Sequence, residues 1–77
     1  MTLDKLKVGA YGVIEAVGGE GALRRRLLDM GLTPRTRVMV RKVAPMGDPM
    51  ELFLRGYALS LRKDEAAQIT MREESMV

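Results

Sequence analysis

Three consecutive arginines, Arg24, Arg25 and Arg26, follow closely on a glycine-rich run, Gly18-Gly19-Glu20-Gly21. Glycines ahead of a helix invite a phosphate-loop reading, in which main-chain N–H groups cradle an anion. The spacing argues against it, because no Gly-Lys-Ser/Thr closes the loop and Leu23 and the arginines stand in its place. The run reads instead as a flexible lead into a helix. Histidine and cysteine are both absent, so acid-base and nucleophilic chemistry would fall to Asp, Glu, Lys and Tyr. None of these forms a recognisable pair at useful spacing. Asp64-Glu65 and Glu73-Glu74 read as solvated charges. No catalytic or cofactor-binding residue is assigned, and an enzyme is not expected. A transition metal would find only carboxylates, carbonyls and water, a poor set for selecting iron or zinc, so no metal ligand is assigned either.

What the arginines can do is recognise another molecule, and the helix that carries them shows how. On a wheel of about 100° per residue, Leu27 and Met30 fall beside Leu23, while Arg25 and Asp29 fall opposite. Leu28 lies next to Arg24, off that stripe, so an apolar group and a cation share a flank that core packing does not demand. A helix N-terminus favours acids, yet only Glu20 precedes the three cations. Arg25 and Asp29 run in the less favourable order for an i,i+4 pair. Local choices that oppose local physics tend to mark functional sites; the alternative is a solvated face on an ordinary surface helix. The stop is plain: Gly31 suits the left-handed residue after a helix, Leu32 folds back on the stripe, and Pro34 forbids continuation.

The chain that must position this helix has 77 residues, 47% of them hydrophobic. That is one domain with a small core, and with no cysteine nothing reinforces it or suggests an oxidising compartment. Residues 1–72 are expected to form the domain and 73–77 a disordered tail. Residues 2–8 carry charges where a signal peptide would need an apolar core, and no apolar run approaches the roughly 20 residues of a membrane span. A soluble, cytoplasmic protein without membrane insertion is expected. Net charge is +3, which suits an acidic partner but is not the strong bias of a nucleic-acid binder. One Phe and two Tyr are too few for a base-stacking platform, so nucleic acid is not an expected partner.

Residues 2–6 read as a turn or helical segment whose Leu3 and Leu6 plug the core. A first strand spans 11–17, where Val13, Ile14 and Val17 break strict alternation unless a bulge or bend intervenes. A second spans 37–44, with Val38 and Val40 on one face, Arg37, Met39 and Arg41 on the other, and a second phase slip at Val43. Pro45 and Pro49 stiffen the loop that follows, leaving Met46 exposed on it. Strand 50–55 points Met50, Leu52 and Leu54 inward and leaves Phe53 on the second face or exposed. Arg55-Gly56 is a tight hairpin turn, after which Tyr57, Leu59 and Leu61 alternate against Ala58, Ser60 and Arg62. One helical turn at 63–67 delivers a last strand, 68–71. Five short strands with bulges and one short helix after the first strand point to a mainly β fold, a small partly open barrel that protects its edges by curling.

Three blocks, RRRLLDMGLTP, VRKVAPMGDP and RGYALSLRKDEAAQI, together resemble the FeoA family, small cytoplasmic accessory proteins of bacterial ferrous iron uptake. The resemblance implies an SH3-like barrel acting on the large permease FeoB, whose cytoplasmic part binds GTP. It places Arg26, Leu27, Met30, Gly31 and Leu32 on the helix motif, Ala44, Pro45 and Pro49 on the loop motif, and Arg55, Gly56, Leu61 and Ala66 on the last block. Where the family commonly has Pro-Gly after the helix, this chain has Pro34-Arg35, so a type II turn would force Arg35 to positive φ. The family name speaks of iron as the pathway's substrate, and a transition-metal label would follow from it without a site in these residues.

The leading function is therefore a non-enzymatic interaction module on the permease's cytoplasmic domain. Its expected partner surface is Arg24, Arg25, Leu28, Arg35, Pro45, Met46 and Pro49, with Arg26, Leu27, Met30, Gly31, Leu32 and Gly56 as structural motif. The alternative is a nucleic-acid-binding or regulatory SH3-like barrel, which fold analogy alone supports weakly. Weak self-association stays open, as does whether the module activates or restrains its partner.

Overall fold

The computed structural model describes residues 1–74. A 3-10 turn, Leu3–Lys5, precedes β1, Tyr11–Val17, and α1, Gly21–Asp29. Strands β2, Arg37–Val43, β3, Met50–Leu54, and β4, Tyr57–Leu61, follow, then the single-turn helix α2, Lys63–Ala66, and β5, Ile69–Glu73. The strands form one antiparallel sheet in the order β4-β3-β2-β1-β5. β1 to β4 are a meander, and β5 returns to the far side of β1.

Both phase slips in the sequence are bulges. Against β5, β1 pairs Ile14 with Met71 and then Ala16 with Thr70, which leaves Glu15 as the extra residue. Ile14 and Val17 thereby both point inward although they are three apart. Against β3, β2 pairs Val40 with Leu52 and then Lys42 with Glu51, so Arg41 is extra. Each bulge bends its strand and adds twist, which lets so short a sheet curl around its own contents. Inside lie Leu3, Ile14, Val38, Val40, Leu52, Leu54 and Ile69 among others, all nearly inaccessible. Leu3 and Leu6 are buried as expected.

β5 runs two residues beyond the expected end at Met71. Glu74 then donates its N–H to the Tyr11 carbonyl at 2.9 Å, and its carboxylate meets Arg37 at 2.7 Å. The expected tail thus starts inside a strand, because Glu73 and Glu74 have backbone partners on β1. Residues 75–77 of that tail lie outside the described residues.

α1 ends in a Schellman motif. The Gly31 N–H donates to the Leu28 carbonyl at 3.0 Å and the Leu32 N–H to the Leu27 carbonyl at 3.2 Å, with Gly31 at φ 95°. Leu27 and Leu32, which these bonds bring together, are both fully buried, the apolar contact that accompanies this cap. Tyr57 closes the corner from β4 by donating its hydroxyl to the Met30 carbonyl at 2.7 Å. A Cβ on Gly31 would sit 2.6 Å from that hydroxyl oxygen. Gly31→Ala therefore meets both a left-handed φ and a clash, and should lower the unfolding free energy by about 2 kcal/mol in urea titration. A loss below about 0.5 kcal/mol would contradict the cap's importance.

Candidate functional site

The three arginines of α1 have three different environments. Arg24 turns its Nε back to the Val17 carbonyl at 3.1 Å, tying the helix to the end of β1. Arg26 pairs with the Glu65 carboxylate of α2, whose other oxygen accepts the Arg62 N–H at 2.9 Å. Arg25 is exposed and has no ion-pair partner among the described residues. Arg26 is exposed while the Glu65 side chain is largely shielded, so the pair ties α1 to α2 from the surface inward. Asp29 does not pair with Arg25.

Leu28 does not stand exposed beside Arg24. It is half-buried and packs against the core, as do Leu23 and Met30, while Leu27 alone of the helix is fully buried. Leu23, Leu28 and Met30 all pack against the core around Leu27, so the buried sector of the helix is wider than the narrow stripe a wheel suggests.

The proline loop is built from a turn. The Gly47 N–H donates to the Ala44 carbonyl at 2.7 Å, and the Ala44 N–H to the Pro49 carbonyl at 3.1 Å. The peptide bond before Pro49 is cis. Met46 occupies the apex with 92% of its surface exposed. Behind it Pro45 and Pro49 line a shallow groove of about 310 Å³ with Lys42, Val43, Ala44, Glu51 and Ser60. The Asp48 carboxylate accepts the Lys63 N–H at 2.9 Å, so α2 is held by α1 through Arg26 and by the loop through Asp48.

Arg35 belongs to a separate corner. Thr33-Pro34-Arg35-Thr36 is closed by the Thr36 N–H on the Thr33 carbonyl at 3.1 Å, with Arg35 at φ 73°. The turn keeps the type II shape, and Arg35 carries the positive φ that glycine would take more easily. Its N–H donates to the Ile14 carbonyl at 2.7 Å, while its exposed side chain has no partner among the described residues. The other non-glycine at positive φ, Arg55 at 48°, reaches the same turn. Its guanidinium donates to the Thr33 and Thr36 hydroxyl oxygens at 3.1 and 3.0 Å, and those two oxygens are 2.9 Å apart. Both residues of the Arg55-Gly56 turn have φ above zero, the primed geometry that suits strand twist.

The outer face of the sheet is assembled by strand register. Register places Tyr11 opposite Met39, Met39 opposite Phe53 and Phe53 opposite Ala58, a stripe across four strands. Arg37 lies over the Tyr11 ring at 4.1 Å. Alternation alone puts Met39 and Phe53 on the outside; only the register, set by the hairpins, makes them neighbours.

A curled five-stranded antiparallel sheet with a helix inserted after its first strand defines a small SH3-like barrel. The chain belongs to the FeoA family, whose FeoA domain matches residues 1–73. The FeoA protein of Chlorobium tepidum superposes with a TM-score of 0.89 at 39% identity, covering 97% of this chain and 71% of that one. The FeoA of Stenotrophomonas maltophilia, described as a prokaryotic SH3 domain protein and solved with zinc, has a TM-score of 0.82 at 26% identity over 94% of this chain and 89% of its own. A Porphyromonas gingivalis protein, the Fe(2+) transport protein A/Fe(2+) transporter FeoB fusion, is 38% identical over 69 residues. That match takes in 90% of this chain but 8% of the fusion, so the chain spans under a tenth of that relative. Among the described residues no group of three or more carboxylate, thiol or imidazole side chains is placed to hold a metal ion. No helix among them is long and apolar enough to cross a membrane.

The two strained arginines separate cleanly in a stability measurement. Arg35→Gly relieves a left-handed cost of about 1–2 kcal/mol and adds about 0.4–1 kcal/mol of unfolded-chain freedom. It should raise stability by about 0.5–1 kcal/mol in thermal or urea unfolding. Arg55→Gly relieves the same strain but loses both threonine bonds, and should not stabilise; equal gains from the two would contradict the clamp.

Proposed function

We propose that the chain is a cytoplasmic accessory of ferrous iron uptake that acts by docking on the cytoplasmic GTP-binding part of a FeoB-type permease. The observation that carries this reading is the fusion relative, in which a domain matching 90% of this chain is part of the same polypeptide as the transporter. A covalent link of that kind keeps two domains at high effective concentration, which is useful when they work on one another. Iron is then the substrate of the transporter, not a ligand of this barrel.

The surface of the molecule fits docking better than catalysis. Arg25 and Arg35 present cations that have no carboxylate partner among the described residues, and Met46 presents an adaptable apolar side chain from a stiffened loop. Interfaces are commonly anchored by a few arginines and apolar residues, and methionine suits surfaces that must adjust to a partner. Leu28 is half-buried against the core and so offers a partner less apolar surface than a fully exposed residue would. Arg24 is exposed and spends only its Nε–H on the Val17 carbonyl, which leaves its other guanidinium N–H groups for a partner. Pro45 and Pro49 fix the loop's shape.

Charge reversal at Arg25 together with Met46→Asp should weaken binding to a purified permease cytoplasmic domain at least about tenfold, roughly 1.4 kcal/mol, in calorimetric titration. The far-UV circular dichroism should not change, because both side chains are exposed. Unchanged affinity would remove this surface from the account.

A further inference from the structure

The methionines of this chain sit at very different depths, and one of them is left outside the packing. Met50 and Met71 are 2% and 1% exposed and belong to the core. Met30 packs against that core, and Met39 is half-buried on the outer face of the sheet. Met46 is 92% exposed, well beyond Met1 at 48%. Met76 lies outside the described residues.

The main chain holds the Met46 position without help from its side chain. Ala44 to Gly47 form a turn closed by the Gly47 N–H on the Ala44 carbonyl at 2.7 Å, and the Ala44 N–H donates to the Pro49 carbonyl at 3.1 Å. Pro45 has a fixed φ, and the Asp48 carboxylate accepts the Lys63 N–H at 2.9 Å. The Met46 thioether takes part in none of these bonds and is not among the walls of the adjoining groove. A change in the chemistry of its sulfur therefore leaves the turn intact.

A thioether has no proton to lose, so its reaction with a peroxide is governed by access to the sulfur. The sulfur lone pair attacks one oxygen of hydrogen peroxide, an S–O bond forms and the O–O bond breaks. The departing hydroxide collects the proton of the transferred hydroxyl and becomes water. Sulfur loses two electrons and the peroxide gains them. The product is polar and chiral where the thioether was apolar and flexible, and sulfoxide reductases reverse it.

We propose that Met46 is an oxidation switch: a peroxide converts its thioether to the sulfoxide, which loosens docking without loosening the fold, and reduction restores it. The proposal rests on the reading of the Pro45–Pro49 loop as part of a docking surface and names a modification that regulates it. Apolar contact is what Met46 offers a partner, and the sulfoxide replaces that contact with an oxygen that must be desolvated or hydrogen-bonded.

The test treats the full chain with dilute hydrogen peroxide and follows each methionine by mass spectrometry of proteolytic peptides. Met46 should gain one oxygen before Met30 and Met39, and at least about tenfold faster than Met50 and Met71, whose oxidation waits on opening of the core. The amide spectrum of the Met46-oxidised chain should change only around residues 44–49. Its affinity for the permease cytoplasmic domain should fall at least about tenfold and return after treatment with sulfoxide reductases for both epimers. Met46→Leu keeps an apolar side chain and removes the sulfur; whatever its own affinity, peroxide should cause it no such further loss.

Oxidation of Met50 or Met71 as fast as that of Met46, full affinity in the Met46-oxidised chain, or an equal peroxide-induced loss in Met46→Leu would each overturn the switch and leave the proposed function standing. An untreated chain with no affinity for the permease domain overturns the proposed partner instead, together with the docking consequence of oxidation.

Discussion

The end of α1 is the constraint on which the remaining architecture depends. In the seven residues between Asp29 and Arg37 the chain must stop a helix, reverse and enter β2, and it does so with the Schellman bonds of Gly31 and Leu32 and the type II turn at Thr33–Thr36. Both are held by the β3-β4 hairpin, through the Tyr57 hydroxyl on Met30 and the Arg55 guanidinium on the two threonines. In a domain of this size, where little core is available, these polar ties let a nine-residue helix hold one orientation on the barrel. They also cost strain, since two arginines accept left-handed backbone.

That strain has a geometric logic. Arg55 gains two charge-assisted bonds to hydroxyls, which offset its turn conformation. Arg35 gains only the bond from its N–H to Ile14, a bond that glycine would make equally well, while its side chain points to solvent. A cation kept at a position that favours glycine is the kind of local conflict that accompanies function. Arg25 on the helix and Arg35 at the corner thus share a character: neither charge has an ion-pair partner among the described residues.

Much of this was legible in the residues, because the informative signals are short-range. Gly31-Leu32 with Pro34 fixed the helix end, Arg55-Gly56 the hairpin, and two breaks in alternation the bulges at Glu15 and Arg41. The wheel placed Leu27 correctly but not Leu28, since a one-dimensional projection cannot see the loops beside a helix. The end of β5 was missed because Arg72, Glu73 and Glu74 look like a solvated tail; their place is set by pairing with β1, which is distant in the chain. Sheet register, which makes a stripe of Tyr11, Met39 and Phe53, is likewise a long-range property. Of the residues assigned to docking, Arg25, Arg35 and Met46 are presented outward, Arg24 is partly engaged, and Pro45 and Pro49 line one groove.

The central claim is that a curled sheet serves as a rigid carrier for a surface gripped by another protein. The direct measurement is an amide chemical-shift map of the isotope-labelled chain titrated with an unlabelled permease cytoplasmic domain, with and without guanine nucleotide. The account predicts saturable shifts concentrated around Arg25, Arg35 and the Pro45–Pro49 loop, with Leu3, Leu52 and Ile69 unmoved. A spectrum unchanged at saturating partner, or shifts spread through those core residues as on unfolding, would contradict it.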